Sequence, residues 1–138
     1  MSGVLVDTCI WSGALRGKQS TNERFAQELM SLIDDGRAKI IGVIRQELLS
    51  GYSNEQRYES LRKRMNWFPN ELINDSDYEQ AAAFSNICRR KGIQGSHIDF
   101  LICAVSVRLD LQIFTVDQDF EHYIKHLPIN LYQLSRSS

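Results

Sequence analysis

The run Val4-Leu5-Val6 leads straight into Asp7 and Thr8, and this junction constrains the fold more than any other stretch of the chain. Three apolar residues, two of them β-branched, make a short buried strand. A helical pattern follows at once, with Trp11 and Leu15 four residues apart and Gly17 closing it. A strand that turns directly into a helix is the start of a parallel sheet with crossover helices. In such sheets ligand sites gather beyond the carboxyl ends of the strands, which is where Asp7 stands.

The alternation continues along the chain. Ser20-x-x-Glu23 reads as a capping box that opens a helix with Phe25, Leu29, Leu32 and Ile33 in one stripe, and Gly36 ends it. Lys39 to Val43 is a second strand, and Val43 to Leu49 a helix ended by Gly51. Ser53-x-x-Gln56 opens another helix, with Tyr58, Leu61 and Met65 on one side. Pro69 restricts Trp67 to Ile73 to an edge strand, or to a strand that begins after Asn70. Ser76-x-x-Glu79 caps a helix from Tyr78 to Arg90, stopped by Gly92. The helix from His97 to Leu109 is apolar nearly all round and so belongs at the centre. Ile113 to Val116 is a strand ending at Asp117. Phe120, Tyr123, Ile124 and Leu127 form a last helical face, Pro128 breaks it, and Ile129 to Leu134 offers a final short strand. The pattern predicts one domain over residues 1–138, with a mostly parallel sheet of four or five strands and helices on both faces.

Composition narrows the class. The chain is 43% hydrophobic and 24% charged, an ordinary globular balance. The apolar run Leu101 to Val105 is far too short to span a membrane, and the N-terminus lacks the features of a signal peptide, so a cytoplasmic protein is expected. The cysteines Cys9, Cys88 and Cys103 form no Cys-x-x-Cys pair, which supports neither a disulfide framework nor a thiolate zinc site. A net charge of −1 argues against a strongly basic nucleic-acid binder, unless several acids are committed to a cation.

The acids are the candidates for chemistry. Asp7 ends a strand, although an Asp before a helix is also a favoured cap. Glu47 falls within the apolar stripe of Val43, Ile44, Leu48 and Gly51, so it is expected to face inward and to need a partner, either an arginine or a ligand. Asp99 sits in Ser96-x-x-Asp99, a capping box, yet the helix it opens is central. Asp117 and Asp119 follow the late strand; one of them caps the last helix and the other is free. Asp7, Glu47, Asp99 and Asp117 can converge at one rim of the sheet. Carboxylates so grouped repel one another and hold raised pKa values unless a cation balances them. An all-oxygen ligand set suits Mg²⁺ or Mn²⁺, which acidify coordinated water and stabilise a leaving oxygen in phosphoryl chemistry.

Other catalytic signatures are absent: there is no P-loop, no Gly-x-Ser-x-Gly and no His-Glu-x-x-His. His122 and His126 lack a third ligand and read as surface residues. A phosphatase that uses two aspartates two residues apart would need an acid where Cys9 stands, and a receiver domain would need a lysine that Val116-Asp117 does not offer.

The ordered set Val6-Asp7-Thr8, Glu47-Leu48 with Gly51, His97-Ile98-Asp99 and Thr115-x-Asp117-x-Asp119-Phe120 resembles the PIN-domain ribonucleases, and more narrowly the VapC-type toxins of bacterial toxin–antitoxin pairs. The resemblance spans almost the whole chain. It implies a three-layer α/β/α sandwich and Mg²⁺- or Mn²⁺-dependent cleavage of RNA, with structured RNA such as tRNA as the substrate class. By position it implies that Asp7, Glu47, Asp99 and Asp117 form the metal site and that Asp119 stands at its edge. Thr8 and Thr115 would hold a carboxylate, a water or substrate, and Cys9 departs from the serine common in the family. A homodimer and a cognate VapB-type antitoxin are implied as well. The antitoxin would lie across a groove for which Trp11, Leu15 and the helices around Phe25 and Tyr58 are candidate walls. With the site acids balanced by metal, the rest of the chain turns net positive, and Arg45 and Lys91 are the preferred phosphate contacts among its basic residues. The alternative within this resemblance is a PIN-like module that binds without cutting.

Overall fold

The computed structural model describes residues 2–16 and 20–134, of which 16 and 20–22 in backbone only. The helix stop at Gly17, the Ser20 half of the first capping box and the basic side chains of Arg16 and Lys18 lie outside the described residues. The elements run β1 (Val4–Val6), α1 (Thr8–Arg16), α2 (Ser20–Asp34), β2 (Ala38–Ile41), α3 (Gly42–Leu49), α4 (Glu55–Met65), β3 (Asn70–Glu71), α5 (Asp75–Arg90), α6 (His97–Arg108), β4 (Gln112–Phe114) and α7 (Asp119–Tyr123).

The sheet has the order β3-β2-β1-β4, and every pairing is parallel. β1 is central because its three residues are apolar on both faces; Val4, Leu5 and Val6 are all fully buried. β3 is an edge strand of two residues, as Pro69 requires. The last segment, expected as a fifth strand, is reduced to one parallel bridge between Ile113 and Leu131, carried by Ile113 N–H to Asn130 O and Tyr132 N–H to Ile113 O. Helices cover both faces of the sheet: α1 packs with α2, and α5 with α6. α6 is the core helix that its all-round apolar character predicts, with Phe100 to Ser106 buried in an unbroken run.

Helix ends show where local signals compete. Gly36 and Gly92 stop α2 and α5 with φ of 71° and 76°, the left-handed region open to glycine. The expected serine caps are displaced. α4 is capped by Asn54, whose side chain accepts from Arg57 N–H at 3.0 Å, and not by Ser53. α5 begins before Ser76 because Asn74 and Asp77 form a reciprocal capping box. Asp77 is committed there by a second set of bonds: it accepts from Asn74 N–H at 2.8 Å and from the Arg108 guanidinium at 2.8 and 2.9 Å. Burial raises its pKa, but Arg108 and the Asn74 N–H together bring it below the ordinary carboxylate range. Arg108 also donates to Leu72 O at 2.7 Å and so ties α6 to the segment leaving β3.

Truncating Ile102, fully buried in α6, removes packing that the neighbours cannot refill. Ile102→Ala is expected to lower unfolding free energy by about 2–5 kcal/mol in a denaturant titration, with the far-UV spectrum of the folded state unchanged.

Candidate active site

The pairing of β1 with β4 sets Val6 opposite Phe114, and Asp7 N–H then donates to Phe114 O at 2.9 Å. Asp7 and Thr115 therefore leave the sheet side by side. Thr115 Oγ1 donates to Asp7 Oδ2 at 2.7 Å, and the Cys9 thiol reaches the same oxygen at 3.6 Å. The other oxygen, Oδ1, accepts from Thr8 N–H at 2.8 Å. The carbonyl of Asp7 accepts from Ile10 N–H and Trp11 N–H, so α1 starts on it. Asp7 thus starts α1 with its backbone while its side chain stands at the rim of the sheet.

Beyond β4 the chain makes a tight turn. Asp117 N–H donates to Thr115 Oγ1 at 3.0 Å, and Asp119 N–H donates to Asp117 Oδ1 at 2.9 Å. Asp99 enters from the first turn of α6, its N–H on Ser96 Oγ at 3.0 Å and its Oδ2 accepting from Tyr123 OH at 2.7 Å. One carboxylate oxygen each of Asp99, Asp117 and Asp119 falls within 4.8 Å of the others. Glu47 Oε1 accepts from Thr8 Oγ1 at 2.5 Å, which brings α3 to the same rim. Donors of this kind, all carboxylate oxygen and, among the described residues, none paired with lysine or arginine, fit a hard divalent cation. The ion pairs Lys39–Glu71, Arg62–Glu59 and Arg108–Asp77 engage other acids.

The family model for the PIN domain matches residues 4–125. This chain belongs to the PIN-domain family. It is 30% identical over 122 residues to ribonuclease VapC11 of Mycobacterium tuberculosis, an alignment covering 86% of this chain and 89% of that one. Its fold is similar to FitAcB from Neisseria gonorrhoeae, with a TM-score of 0.76 at 20% identity, covering 94% of this chain and 96% of that one. A toxin–antitoxin complex from Klebsiella pneumoniae is similar at a TM-score of 0.65 and 19% identity, covering 86% and 90%.

In this PIN domain the acids form one electrostatic group. Burial raises the Asp7 pKa; the bonds from Thr115, Thr8 and Cys9 oppose that rise, and the Glu47 charge adds to it. Burial likewise raises Asp99, with Tyr123 and Ser96 opposing and Asp117 and Asp7 adding. Burial and the nearby Asp7 push the Cys9 thiol pKa up, which favours its protonated form, a weak donor. Thr8 and Thr115 hold carboxylates.

Several sequence expectations change. Glu47 is exposed, not inward-facing. α3 buries Ile44 and Leu48, and at about 100° per residue Glu47 lies roughly 80° from the middle of that stripe, at its border. Its partner is a threonine hydroxyl, so the argument from a buried charge does not apply to it. Arg45 is not turned to the acids: its guanidinium donates to Asn70 Oδ1 at 3.0 Å, to Met65 O at 2.9 Å and to Phe68 O, fastening the α4–β3 connection to α3. Lys91 is exposed at the C-terminal cap of α5. Trp11 is core, with Nε1 on Val6 O at 3.1 Å and its ring edge-on to Phe68, and is no groove wall. Leu15 does line a cleft of about 700 Å³, together with Tyr52, Arg57 and Arg64. His122 and His126 are exposed, as expected from the sequence.

One site contact has no counterpart in the sequence analysis: Tyr123 is expected there only on an apolar face, whereas Cys9 is already marked as the departure from the family's serine. The available signal for Tyr123 was chemical: a buried phenol needs a hydrogen-bond partner.

Asp7 and Asp99 hold their protons more tightly folded than unfolded when no cation is bound. Their stabilising contribution is full below the ordinary carboxylate range and is lost as pH rises through the raised folded values. Thermal melts in EDTA are therefore expected to show Asp7→Asn melting no lower than the parent at neutral pH, and losing less stability than the parent between acidic and neutral pH. A large drop in Tm for this variant at neutral pH would contradict a raised Asp7 pKa.

Proposed function

We propose that this PIN domain is a Mg²⁺- or Mn²⁺-dependent endoribonuclease, the toxin of a toxin–antitoxin pair, and that it hydrolyses phosphodiester bonds of structured RNA such as tRNA. The observation that carries the reading is the grouping of Asp99, Asp117 and Asp119, with Asp7 electrostatically coupled to Asp99 and Glu47 to Asp7. Asp7, Glu47, Asp99 and Asp117 are the catalytic acids, and Asp119 completes the cation site at its outer edge. The ribonuclease name of the mycobacterial relative supports the activity, and the toxin–antitoxin title of the Klebsiella structure supports the partner.

When bound, a divalent cation supplies an acidified water and charge stabilisation for the leaving oxygen. The protein's own part is positional. Asp99, Asp117 and Asp119 would hold the cation. Asp7 is oriented by three donors, and Thr8 fixes Glu47 at the border of the site. Asp117, Asp119 and Glu47 are exposed, so a polymer can approach from solvent without entering a closed pocket. The carboxylates repel phosphate, which makes cation binding a precondition of substrate approach. Residues 1–138 act as one domain, and the protein works as a homodimer that a VapB-type antitoxin silences. No helix among the described residues is long and apolar enough to cross a membrane.

Purified protein is expected to cut total RNA in Mg²⁺ or Mn²⁺ and to stop in EDTA. Asp99→Asn should lower the cleavage rate by at least about 100-fold, beyond the ~10–100-fold typical of losing a partner outside the ligand set. Gel or end-mapping assays read both. Cleavage that persists in EDTA or in Asp99→Asn would overturn the assignment, as would turnover of a small phosphomonoester without any cutting of RNA.

A further inference from the structure

Tyr123 is the site contact to which the nuclease reading gives no role. Its side chain is fully buried, packed on Phe100 with ring centroids 5.0 Å apart and edge-on to Phe120 at 5.1 Å. Phenylalanine would fill the same space. The hydroxyl therefore needs its own explanation, because a buried polar group costs stability unless it is bonded. Its acceptor is Asp99 Oδ2, at 2.7 Å.

The backbone makes room for this contact. A Cβ on Gly95 would lie 2.3 Å from Tyr123 OH, 2.8 Å from Tyr123 Cζ and 2.8 Å from Phe100 Cζ. The residue there must lack a side chain for the phenol to sit where it does. The next residue, Ser96, caps α6 and accepts from Asp99 N–H. Asp99 is thus held twice, by its backbone through Ser96 and by its carboxylate through Tyr123.

The choice of donor matters. Lysine or arginine at this place would bring a positive charge to Asp99 and compete with a cation for it. A phenol orients a carboxylate and leaves its charge uncompensated. We infer that Tyr123 is a positioning residue: its hydroxyl holds the Asp99 carboxylate in the orientation that groups it with Asp117 and Asp119. The inference rests on the reading of these acids as a divalent-cation site.

The test is Mn²⁺ titration of the full chain by calorimetry, with no RNA present. Tyr123→Phe keeps the ring and removes only the hydroxyl. It is expected to raise the Mn²⁺ dissociation constant about 10-fold, the scale of losing a partner that orients a ligand. In an Asp99→Ala background the same substitution should leave Mn²⁺ affinity unchanged, since no carboxylate remains to be held. Parent-like Mn²⁺ affinity in Tyr123→Phe overturns the inference, and so does an equal loss in both backgrounds, which is what general loosening of the fold would give. If the parent binds Mn²⁺ and cuts RNA while Tyr123→Phe matches it in affinity, this inference alone fails. If the parent binds no Mn²⁺, the inference fails together with the nuclease reading.

Discussion

The hydrogen-bonded pairing of β1 with β4 is the interaction on which the rest of the structure depends. The two strands are separated by more than a hundred residues, yet their register decides which acids meet. Val6 opposite Phe114 sets the Asp7 N–H on the Phe114 carbonyl, and from there Thr115 stands beside Asp7. A one-residue slip would send Thr115 to the other face and break its bond to Asp7, because side chains alternate along a strand. The register is held by burial. Val4, Leu5, Val6, Ile113 and Phe114 are all enclosed by helices, so a slipped sheet would lose core contacts on both faces.

The chain treats buried acids in two different ways, and the contrast separates structure from site. Asp77 is buried and neutralised: Arg108 grips both of its oxygens, and its pKa is lowered. Asp7 is also buried, but among the described residues every donor that reaches it is uncharged: Thr115, Thr8 N–H and Cys9. Asp99 likewise has Tyr123. Neutral donors orient a carboxylate and offset part of its desolvation without cancelling its charge, so the pKa of each stays raised. An acid braced in this way retains a demand for positive charge that no lysine or arginine among the described residues meets. That is the electrostatic condition for cation binding, and it distinguishes these acids from Asp77 better than burial does.

Much of this was legible in the sequence because it rests on short-range signals that agree with one another. Apolar runs meeting an acid marked the ends of β1 and β4, Gly36 and Gly92 marked helix ends, and the all-round apolar character of α6 placed Asp99 near the centre. What was not legible depends on tertiary competition. Ser53 and Ser76 have good capping chemistry, but Asn54 and Asn74 cap instead, the latter because Asp77 is already fixed by Arg108 from a distant helix. Glu47 lies at the border of its stripe, where a small error in helix phase turns an exposed residue into a buried one. Arg45 looked like a free cation because the backbone carbonyls that hold it, Met65 and Phe68, carry no sequence signature. Tyr123 falls on an apolar helical face, and nothing in that spacing points its hydroxyl at Asp99.

The site is graded from inside to outside, and the grading follows from how each acid is supported. Asp7 is 7% exposed and takes three donors from strand ends and the start of α1. Asp99 is intermediate and is held by a helix cap and a buried phenol. Asp117 and Asp119 are exposed and stand on a turn held by bonds to Thr115 Oγ1, Asp117 Oδ1 and the Asp117 carbonyl, all of them from backbone N–H groups. Rigid support thus falls away toward solvent, where local opening is least costly. A small-molecule enzyme would enclose its substrate within the supported part. Here the supported acids lie beneath and the adaptable ones face outward, so the surface met by a ligand is an open, negatively charged rim. Such a rim suits a long polyanion only after a cation has reversed its charge locally, and it suits a basic protein segment without one. On the proposed function the same residues would serve both cutting and silencing, and which of the two occurs would depend on what supplies the positive charge.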